Sequence, residues 1–561
     1  METVGQQPGI PRGAPRFWGI RMFLLCMIFF LCGSTLGSSL IAQSHLFTFP
    51  PEQVGTWSYP RPAGDVNGDG MDDILIGASW GLPPNTNANV LQVHSGRDGR
   101  LLWAVKTRDG FLHDQVGTGD LDRDGHADIA MIVTNLVANK KQLWYVSGKT
   151  GKKFRTVNLN GFSVHLLVAR AGDVNADGYQ DLVIGDPTWG LFQSGRVVVV
   201  SGKDGSFIRI LNNPVYGLKY FGSQMAAAGD TNEDGYADLL VADDVGPTAW
   251  LFSGKTGQIM KTFGWNSLRV SARFVHTLGD INKDGRRDYA LTGVELNPTR
   301  VYLEIRSGAK KDKHKVLLTI KEPYPSRTGL GLTVVMVGDI DKDGLPDLAL
   351  GAPFYKVNGK QVGAIEYRSS KDGRLLSRVI GAGNLTFGYK IYGLGDVNGD
   401  GNPDVVVQTE VASLSQKPAP RIKVFVYSGA PMDLWSDTHR VSLAKRGKQV
   451  LQLDAGPKHA GSSYFVLGSL GGIKPGLKLG GLTLPLQPDL YFWLTASSPN
   501  SAMFQGSLGV LDNHGQATCT ITAIPALPTA MIGTRADHAY LLFKNGRFTK
   551  TSRWAPLLFE K

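Results

Sequence analysis

Aspartate and asparagine recur at fixed positions in seven short segments of the chain. Each segment follows the pattern Asp-x-Asn/Asp-x-Asp-Gly-x-x-Asp and then runs into an apolar stretch. In the first copy, Asp65, Asn67 and Asp69 alternate so that their side-chain oxygens converge, and the glycine that follows permits a sharp turn. The carbonyl oxygen of Met71 and the carboxylate of Asp73 complete the set. Oxygen ligands of this kind and number suit Ca²⁺.

The other six copies keep aspartate or asparagine at all four side-chain positions. Their candidate ligands are Asp120, Asp122, Asp124, Asp128; Asp173, Asn175, Asp177, Asp181; Asp230, Asn232, Asp234, Asp238; Asp280, Asn282, Asp284, Asp288; Asp339, Asp341, Asp343, Asp347; and Asp396, Asn398, Asp400, Asp404. The sequence therefore predicts up to seven Ca²⁺ ions. The alternative is that these turns hold no metal and are rich in aspartate only because aspartate favours loop geometry.

A helical EF-hand begins with the same pattern, but it needs a glutamate at loop position 12. That position is apolar in every copy, with Ile76, Met131, Ile184, Val241, Leu291, Leu350 and Val407. The stretches that contain these residues are short and uniformly apolar, which is typical of strands rather than of amphipathic helices. We therefore predict calcium loops that connect β-strands.

The loops recur at an interval that defines a structural repeat. Successive loops begin 50 to 59 residues apart, and a Ser-Gly turn follows each loop after 23 to 32 residues, with Ser369-Ser370 in the sixth copy. A unit of this length holds about four strands, which is one blade of a β-propeller. Uniformly apolar strands fit positions that are covered on both faces. We expect the alternating stretch Leu46-Phe47-Thr48-Phe49 to complete the last blade.

The texture of the chain changes after about Asp437, where the loops stop and Gly-, Leu- and Pro-rich strands begin. The predicted fold class is therefore all-β, with a seven-bladed β-propeller over residues 46–436 and a C-terminal β-sandwich-like domain over residues 437–561. We expect a hairpin turn at residues 512–515 and a buried structural thiol at Cys519, within the run Thr518–Ile524.

The N-terminal segment has the features of a secretory signal. Three arginines precede the apolar run Met22–Cys32, and small residues follow as far as Ala42. We expect residues 1–43 to be a signal peptide, which makes the mature chain extracellular or periplasmic. The alternative is an uncleaved membrane anchor. Hydrophobic residues make up 42% of the chain and charged residues 19%, which excludes global disorder, and 70 glycines disfavour an all-α fold.

These repeats resemble the FG-GAP repeat, which is also found in the propeller of integrin α subunits. The resemblance covers roughly Leu46 to Ser436. Phe221-Gly222, Phe387-Gly388 and Gly351-Ala352-Pro353 keep the name-giving marks, whereas Val54-Gly55 and Gly77-Ala78-Ser79 depart from them. The resemblance implies a propeller that binds Ca²⁺ between adjacent strands of a blade and acts in adhesion or ligand binding. Relatives in exported bacterial proteins suggest the secreted bacterial type, and some calcium-binding propellers serve polysaccharide lyases.

Several features look catalytic without the context that catalysis needs. Gly77-Ala78-Ser79-Trp80-Gly81 matches a nucleophile elbow, but Leu-Pro-Pro follows it rather than a helix. Gly148-Lys149-Thr150 lacks the first glycine of a phosphate loop and is interpreted as a hairpin turn. Trp80, Trp189 and Trp250 could stack on sugars, although packing at the blade edge is the preferred interpretation. The histidines His113, His459, His514 and His538 lack zinc spacing and are predicted to lie on the surface or in loops.

The charge balance favours an acidic partner, and the alternative is that scattered lysines and arginines only keep an exported protein soluble. The chain carries a net charge of +11, and residues 437–561 hold 13 basic and 6 acidic side chains, so that the propeller is nearly balanced before any Ca²⁺ is added. The predicted function is an exported calcium-binding scaffold for adhesion or binding. Its partner is an extracellular protein or an anionic polysaccharide, not nucleic acid, and a membrane only if the leader is uncleaved. The alternative function, a polysaccharide lyase-like enzyme with its site on one propeller face, stays open.

Overall fold

The fold was analysed in a computed structural model, which describes residues 45–560 except for some short segments. The segments outside the description are 50–56, 80–89, 108–109, 136–137, 139, 216–218, 244–247, 265–269, 297–298, 322–327, 342, 358, 382–384, 398–401, 412–422, 430–432, 437–439, 474, 524–530 and 553. The predicted signal peptide and Trp80 therefore lie outside the described residues. Among the described residues, no helix combines the length and the apolar character needed to cross a bilayer.

Residues 45–427 form seven four-stranded antiparallel sheets, which we call blades 1 to 7 in chain order. β1 (His45–Phe49) comes first and belongs to blade 7. Blade 1 has β2 (Trp57–Gly64), β3 (Asp73–Ser79), β4 (Val90–His94) and β5 (Leu101–Lys106); blade 2 has β6 (Gly110–Gly119), β7 (Asp128–Asn135), β8 (Lys140–Val146) and β9 (Lys153–Asn158); blade 3 has β10 (Leu167–Gly172), β11 (Asp181–Asp186), β12 (Arg196–Val200) and β13 (Phe207–Asn212).

The later blades follow the same order. Blade 4 has β14 (Gln224–Gly229), β15 (Asp238–Ala242), β16 (Ala249–Phe252) and β17 (Ile259–Phe263); blade 5 has β18 (Val270–Thr277), β19 (Tyr289–Leu296), β20 (Thr299–Arg306) and β21 (Val316–Lys321); blade 6 has β22 (Val334–Met336), β23 (Leu348–Ala352), the small hairpin β24 (Lys356–Val357) and β25 (Lys360–Gln361), β26 (Ala364–Arg368) and β27 (Leu375–Ile380); blade 7 has β28 (Leu385–Gly393), β29 (Val405–Val411) and β30 (Lys423–Tyr427). The predicted all-β class is confirmed.

The blades close into a ring around their first strands. The first strands of neighbouring blades lie side by side, and β28 of blade 7 lies against β2 of blade 1. A separate hydrophobic cluster fills each gap between consecutive blades, including the gap between blades 7 and 1. The second strand of a blade is therefore covered on both faces, and β7, β11, β15 and β23 are buried almost throughout. This burial explains why these strands are apolar without alternation.

The ring is closed by the two ends of the propeller sequence. β1 pairs antiparallel with β30, with Phe47 opposite Val426 and Phe49 opposite Val424, and so becomes the outer strand of blade 7. The expectation that residues 46–49 complete the last blade is confirmed. Leu46 and Phe49 are only 4% and 2% exposed, because they pack into the cluster between blades 7 and 1.

The rest of the chain forms two further sheets and one helix. Its elements are β31 (Leu434–Ser436), β32 (Arg440–Ser442), β33 (Lys448–Asp454), β34 (Ser463–Ser469), β35 (Leu477–Leu479), β36 (Leu482–Leu484), α1 (Leu490–Ser497), β37 (Phe504–Gln505), β38 (Leu508–Val510), β39 (Gln516–Thr522), β40 (Arg535–Lys544), β41 (Arg547–Thr551) and β42 (Ala555–Glu560). One sheet has the order β31-β33-β39-β37 and the other β32-β42-β40-β34-β38, with β41 beside β40. Both sheets contribute to one buried cluster.

Some local expectations for this region are confirmed and others are wrong. Cys519 is free and buried, and burial raises its pKa to about 12. The amide of Gly515 donates to the carbonyl of Asp512, so the expected turn exists, but β38 and β39 on either side of it pair in different sheets and do not form a hairpin. His538 is not a surface or loop residue, since it lies buried in β40, bonded to the Tyr491 hydroxyl at 3.0 Å.

We predict that Phe49→Ala weakens ring closure. The substitution removes a buried aromatic side chain from the seam between blades 7 and 1, so the free energy of unfolding should fall by about 3–5 kcal/mol. Phe207→Ala is a matched control, because Phe207 is 50% exposed on the outer strand of blade 3. Equilibrium denaturation of both variants measures the difference. Equal losses in the two variants would show that the seam is not a special source of stability.

Candidate metal centres

The seven Asp-rich loops lie at one end of the ring. Each loop joins the first strand of a blade to the second, as residues 65–72 join β2 to β3. The turns between third and fourth strands return to the same end, because the strands of a blade are antiparallel. Backbone hydrogen bonds also link adjacent loops: the amide of Ala127 donates to the carbonyl of Asp65 at 2.9 Å, and that of Ala237 to Asp173 at 2.8 Å. We call this end of the ring the loop face.

Each loop is wound around its own acidic side chains. In blade 3, the amides of Asp177 and Gly178 donate to the two carboxylate oxygens of Asp173 at 3.1 and 2.8 Å. The amide of Asp177 also donates to Oδ1 of Asn175, and the amide of Tyr179 to Oδ1 of Asp177. A carboxylate has about four lone-pair sites, so these oxygens keep the capacity to bind a cation.

The same bonds to the first aspartate recur in the first six loops. They are accepted by Asp65, Asp120, Asp173, Asp230, Asp280 and Asp339. In two loops, three carboxylates each place an oxygen within 4.8 Å of the others: Asp120, Asp122 and Asp124, and Asp339, Asp341 and Asp347. Asn398 and Asp400 of the seventh loop lie outside the described residues.

The last aspartate of each loop is buried and joins two parts of the blade. In blade 3, Oδ2 of Asp181 accepts from the amide of Val174 in the loop at 2.9 Å, and Oδ1 accepts from the amide of Gly202 in the distant turn at 2.9 Å. The equivalents Asp73, Asp128, Asp238, Asp288, Asp347 and Asp404 make the same two bonds. The loop and the turn that recur in step along the sequence are therefore joined by one carboxylate.

The turn contains glycine because the backbone of the loop passes very close to it. A Cβ atom on Gly202 would lie 1.9 Å from the carbonyl oxygen of Gln180, and one on Gly148 would lie 1.7 Å from that of Ala127. Blade 6 has Ser370 at this position, and its amide is 3.3 Å from Oδ1 of Asp347, the longest such bond among the seven blades. The side chain of Ser370 thus accounts for a looser junction in blade 6.

Burial makes the last aspartate costly to ionise in the absence of a cation. Desolvation raises the pKa of Asp73 to about 7 and the pKa values of Asp128 and Asp181 to about 6, although hydrogen bonds from backbone amides act in the opposite direction. The same cause raises the pKa values of Asp288 and Asp347 to about 6. A divalent cation beside such a carboxylate would favour its charged form. The donor set and its burial therefore fit a hard cation.

Comparison with known proteins agrees with this geometry. The FG-GAP repeat profile matches residues 62–94, 168–200 and 332–365, which run from the first strand into the third strand of blades 1, 3 and 6. The chain contains FG-GAP repeats. It is also similar to integrin alpha-PS2 of Drosophila melanogaster, with 26% identity over 42% of this chain and 14% of the relative, and to human integrin alpha-8, with 28% identity over 43% of this chain and 25% of the relative. The chain thus spans a quarter or less of these relatives.

Solved structures with detectable similarity include the Dos1 propeller and rhamnogalacturonan lyase YesW. The Dos1 propeller aligns over 66% of this chain and 78% of its own, with a TM-score of 0.38 and 12% identity. The lyase aligns over 70% of this chain and 75% of its own, with a TM-score of 0.37 and 14% identity.

The FG-GAP loops differ from EF-hand loops at position 12, as the sequence predicts. The residue at loop position 12 lies in the second strand of every blade and is at most 1% exposed, as for Ile76, Met131, Ile184, Val241, Leu291, Leu350 and Val407. These side chains fill the core between blades. No helix follows any loop in the part of the FG-GAP chain that the structure describes.

Sequence reasoning missed the basic side chains that approach some of the candidate ligands. In blade 6, the guanidinium of Arg374 donates to the Asp341 carboxylate at 2.6 Å, and Lys371 is 3.7 Å from Asp343. Arg286 of the blade 5 loop is 3.9 Å from Asp230 of the blade 4 loop. One sequence feature could have indicated that blade 6 differs. Its repeat has Ser369-Ser370 in place of Ser-Gly, and Arg374 follows shortly after.

The other candidate residues have structural roles in the FG-GAP fold. Residues 147–151 form a turn in which the amide of Gly151 donates to the carbonyl of Ser147, so the interpretation of Gly148-Lys149-Thr150 as a hairpin turn is confirmed. Trp250 is 1% exposed in β16 and packs in the cluster between blades 3 and 4, so the preferred interpretation as a packing residue is confirmed and the side chain is unavailable to a sugar. Trp189 stacks on the guanidinium of Arg196.

We predict that Gly202→Ala uncouples loop and turn in blade 3. The new Cβ would meet the Gln180 carbonyl, so the free energy of unfolding should fall by at least about 1–3 kcal/mol. Gly393→Ala is the control, because its Cβ would lie 3.7 Å from the nearest atom and neither glycine has a positive φ. Thermal and denaturant unfolding measure both variants. A Gly202→Ala protein as stable as Gly393→Ala would contradict the proposed junction.

Proposed function

We propose that this protein is an exported, calcium-binding β-propeller that acts as a binding or adhesion scaffold for an extracellular or cell-envelope polymer or protein. The observation that carries the proposal is the repeated loop, in which a buried aspartate bonds both loop and turn while several further oxygen donors gather above it. Similarity to integrin α subunits and the FG-GAP repeats support a binding role. The proposed chemistry of the loops is structural, and no group in them is assigned to catalysis.

Calcium is the proposed cation because of the donor chemistry. The four side-chain positions of the seven loops hold 23 aspartates and 5 asparagines, and hard oxygen donors with flexible geometry suit Ca²⁺ better than Mg²⁺. Without a cation, the aspartates of one loop repel one another, and burial disfavours the charged form of the last one, as for Asp73 and Asp181. Blade 6 is the proposed weakest site, since Arg374 and Lys371 already lie against two of its ligands.

We predict that chelation lowers the stability of the propeller. Melting temperature should rise with millimolar Ca²⁺, the range in which exported calcium modules commonly bind, and change little with Mg²⁺. A single loop can be tested separately. Asp173→Ala should lower the number of bound calcium ions by one while the fold is retained, because blades share stability with their neighbours. Asp204→Ala is the matched control, since Asp204 is an exposed aspartate of the same blade that lies outside the loop. A melting curve unchanged in excess chelator would sink the proposal.

Export is proposed from the N-terminal sequence. The arginines, apolar run and small residues of 1–43 have the order of a secretory signal, and removal of that segment leaves Cys519 as the one cysteine of the chain. A chain without disulfides outside the cell needs another source of rigidity. Bound calcium in each blade is the proposed source, because it ties the loop and turn together where a disulfide would otherwise serve.

The proposed partner is acidic. The net charge of +11 is concentrated outside the carboxylate loops, and bound Ca²⁺ would neutralise much of the remaining negative charge of the propeller. An anionic polysaccharide or an acidic protein surface complements such a molecule better than a neutral glycan does. At physiological salt, attraction of this kind is screened beyond about 8–10 Å, so it acts at close range.

We predict tighter binding to acidic than to neutral polysaccharides. Affinity should fall as salt rises at constant calcium, because the attraction is electrostatic. A pull-down or calorimetric series with polyuronates and neutral glucans measures it, and ultraviolet absorbance of unsaturated products is recorded in the same samples. Equal affinity for both polymers with no salt dependence would remove the acidic partner from the proposal. Product formation would establish the lyase-like alternative in place of the scaffold.

A further inference from the structure

The end of the ring opposite the loop face carries an exposed apolar tip. The connection between β11 and β12 in blade 3 leaves at this end and contains a short 3₁₀ turn, Leu191–Gln193. Leu191 is 85% exposed and Phe192 is 69% exposed, the two largest values for apolar side chains among the described residues of the propeller. Side chains of this size are normally withdrawn from water.

The backbone of the tip is held in a conformation that turns Phe192 outward. Phe192 and Gln193 both have positive φ angles, 58° and 60°. This region is unfavourable for bulky side chains and persists only where the surrounding structure enforces it. Here the strained turn leaves the Phe192 ring exposed to solvent, so packing of that ring does not offset the strain.

A rigid base supports the tip. The guanidinium of Arg196 lies between the rings of Phe162 and Trp189, 4.5 and 4.6 Å from their centroids, and forms an ion pair with buried Asp186 at 3.1 Å. The amide of Gly195 donates to the carbonyl of Trp189 at 2.9 Å and closes the loop at its base. The tip is therefore organised before any partner arrives, which reduces the entropy lost on binding.

The segments next to the tip in the sequence are apolar and hold one lysine and one histidine. Segments 159–166, 187–195 and 213–223 contain no aspartate or glutamate, whereas the corresponding connection of blade 4 contains Asp243 and Asp244. Val164 is 61% exposed and Val215 is 38% exposed. His165 and Lys219 are exposed as well, and the charge of Asp186 is neutralised by Arg196.

Blade 6 presents a second tip at the same end. Its connection between the second and third strands, residues 353–363, occupies the same position in the repeat and also lacks acidic residues. Phe354 and Val357 are 38% and 37% exposed, and Lys356 and Lys360 beside them are exposed. Gly195 pairs with Phe221 after blade 3, and Gly363 pairs with Phe387 after blade 6, which fixes both connections in the same way.

We propose that this end of the ring docks on an anionic lipid bilayer, with Leu191 and Phe192 inserted at the interface between headgroups and acyl chains. A bilayer matches both the apolar and the basic feature. Its interface takes up exposed apolar and aromatic side chains, and its headgroups attract the flanking lysines Lys219, Lys356 and Lys360. An acidic polymer in solution would pair with the lysines and leave the apolar tips in water. The proposal goes beyond the scaffold function and needs no particular polymer.

Vesicle flotation at constant calcium tests the proposal with the mature chain, from which residues 1–43 are removed, because the apolar run Met22–Cys32 would itself bind a bilayer. Wild-type protein should float with phosphatidylcholine vesicles that contain 30% phosphatidylglycerol, about tenfold less with pure phosphatidylcholine, and less as salt rises. The L191S/F192S variant should lose at least about tenfold in partition to the anionic vesicles. L490S is the matched control and should float like wild type, because Leu490 is 89% exposed on α1, outside the propeller.

A second measurement guards against a folding defect in the double variant. L191C, labelled with an environment-sensitive fluorophore, should show a blue shift on anionic vesicles, whereas labelled L490C should not. Buried Cys519 is free, so the label must be shown to react at the introduced cysteine. The proposal is overturned if wild type does not float, if it floats equally with both lipids, if L191S/F192S floats as wild type does, or if the label at 191 stays in water. None of these results bears on binding to polysaccharides.

Discussion

A buried carboxylate in each blade is the interaction on which the rest of the structure depends. The last aspartate of a loop accepts one amide hydrogen bond from the loop and one from the turn between the outer strands, as Asp181 does with Val174 and Gly202. These two bonds join the inner and outer halves of a blade at a point where the chain is otherwise irregular. Hydrogen bonds to a charged group are stronger than neutral ones, but a buried charge without a counterion is costly. A cation at this point would resolve that conflict, and the other oxygens of the loop lie where they could hold it.

The ring gains its cohesion from repetition rather than from one large core. Each gap between blades has its own hydrophobic cluster, so every blade depends on two neighbours, and the first blade depends on the last. Pairing of β1 with β30 makes this dependence circular, and the cluster between blades 7 and 1 covers the two blade faces that an open array would leave exposed. In the mature chain proposed here no disulfide is available, and the closed circuit of sheets together with the loop junctions takes over that role.

The two ends of the ring carry different side chains, because the connections between antiparallel strands lie alternately at one end and at the other. Loops that carry carboxylates follow the first strand and collect at one end. Connections after the second strand collect at the other, where blades 3 and 6 expose Leu191, Phe192, Phe354 and nearby lysines. The proposed metal sites and the proposed contact with a partner thus lie at opposite ends of the ring, and neither involves the packing between blades.

The sequence by itself determined the features that repeat. Loop spacing, glycine turns and uniformly apolar strands predicted an all-β propeller, and the alternating residues 46–49 predicted its closing strand, because periodic local signals survive in any context. Only the tertiary structure decided what depends on distant neighbours. The hydrogen bond from the Gly202 amide to Asp181 joins residues that are 21 positions apart. The burial of His538 depends on packing against Tyr491, and the exposure of Phe192 depends on how the neighbouring segments pack. Helix α1 was not anticipated, since its eight residues are apolar on nearly all sides and show no helical periodicity. The amino-acid sequence shows which residues are present. Burial, backbone strain and the end of the ring at which a residue lies depend on contacts between segments that are distant in the sequence.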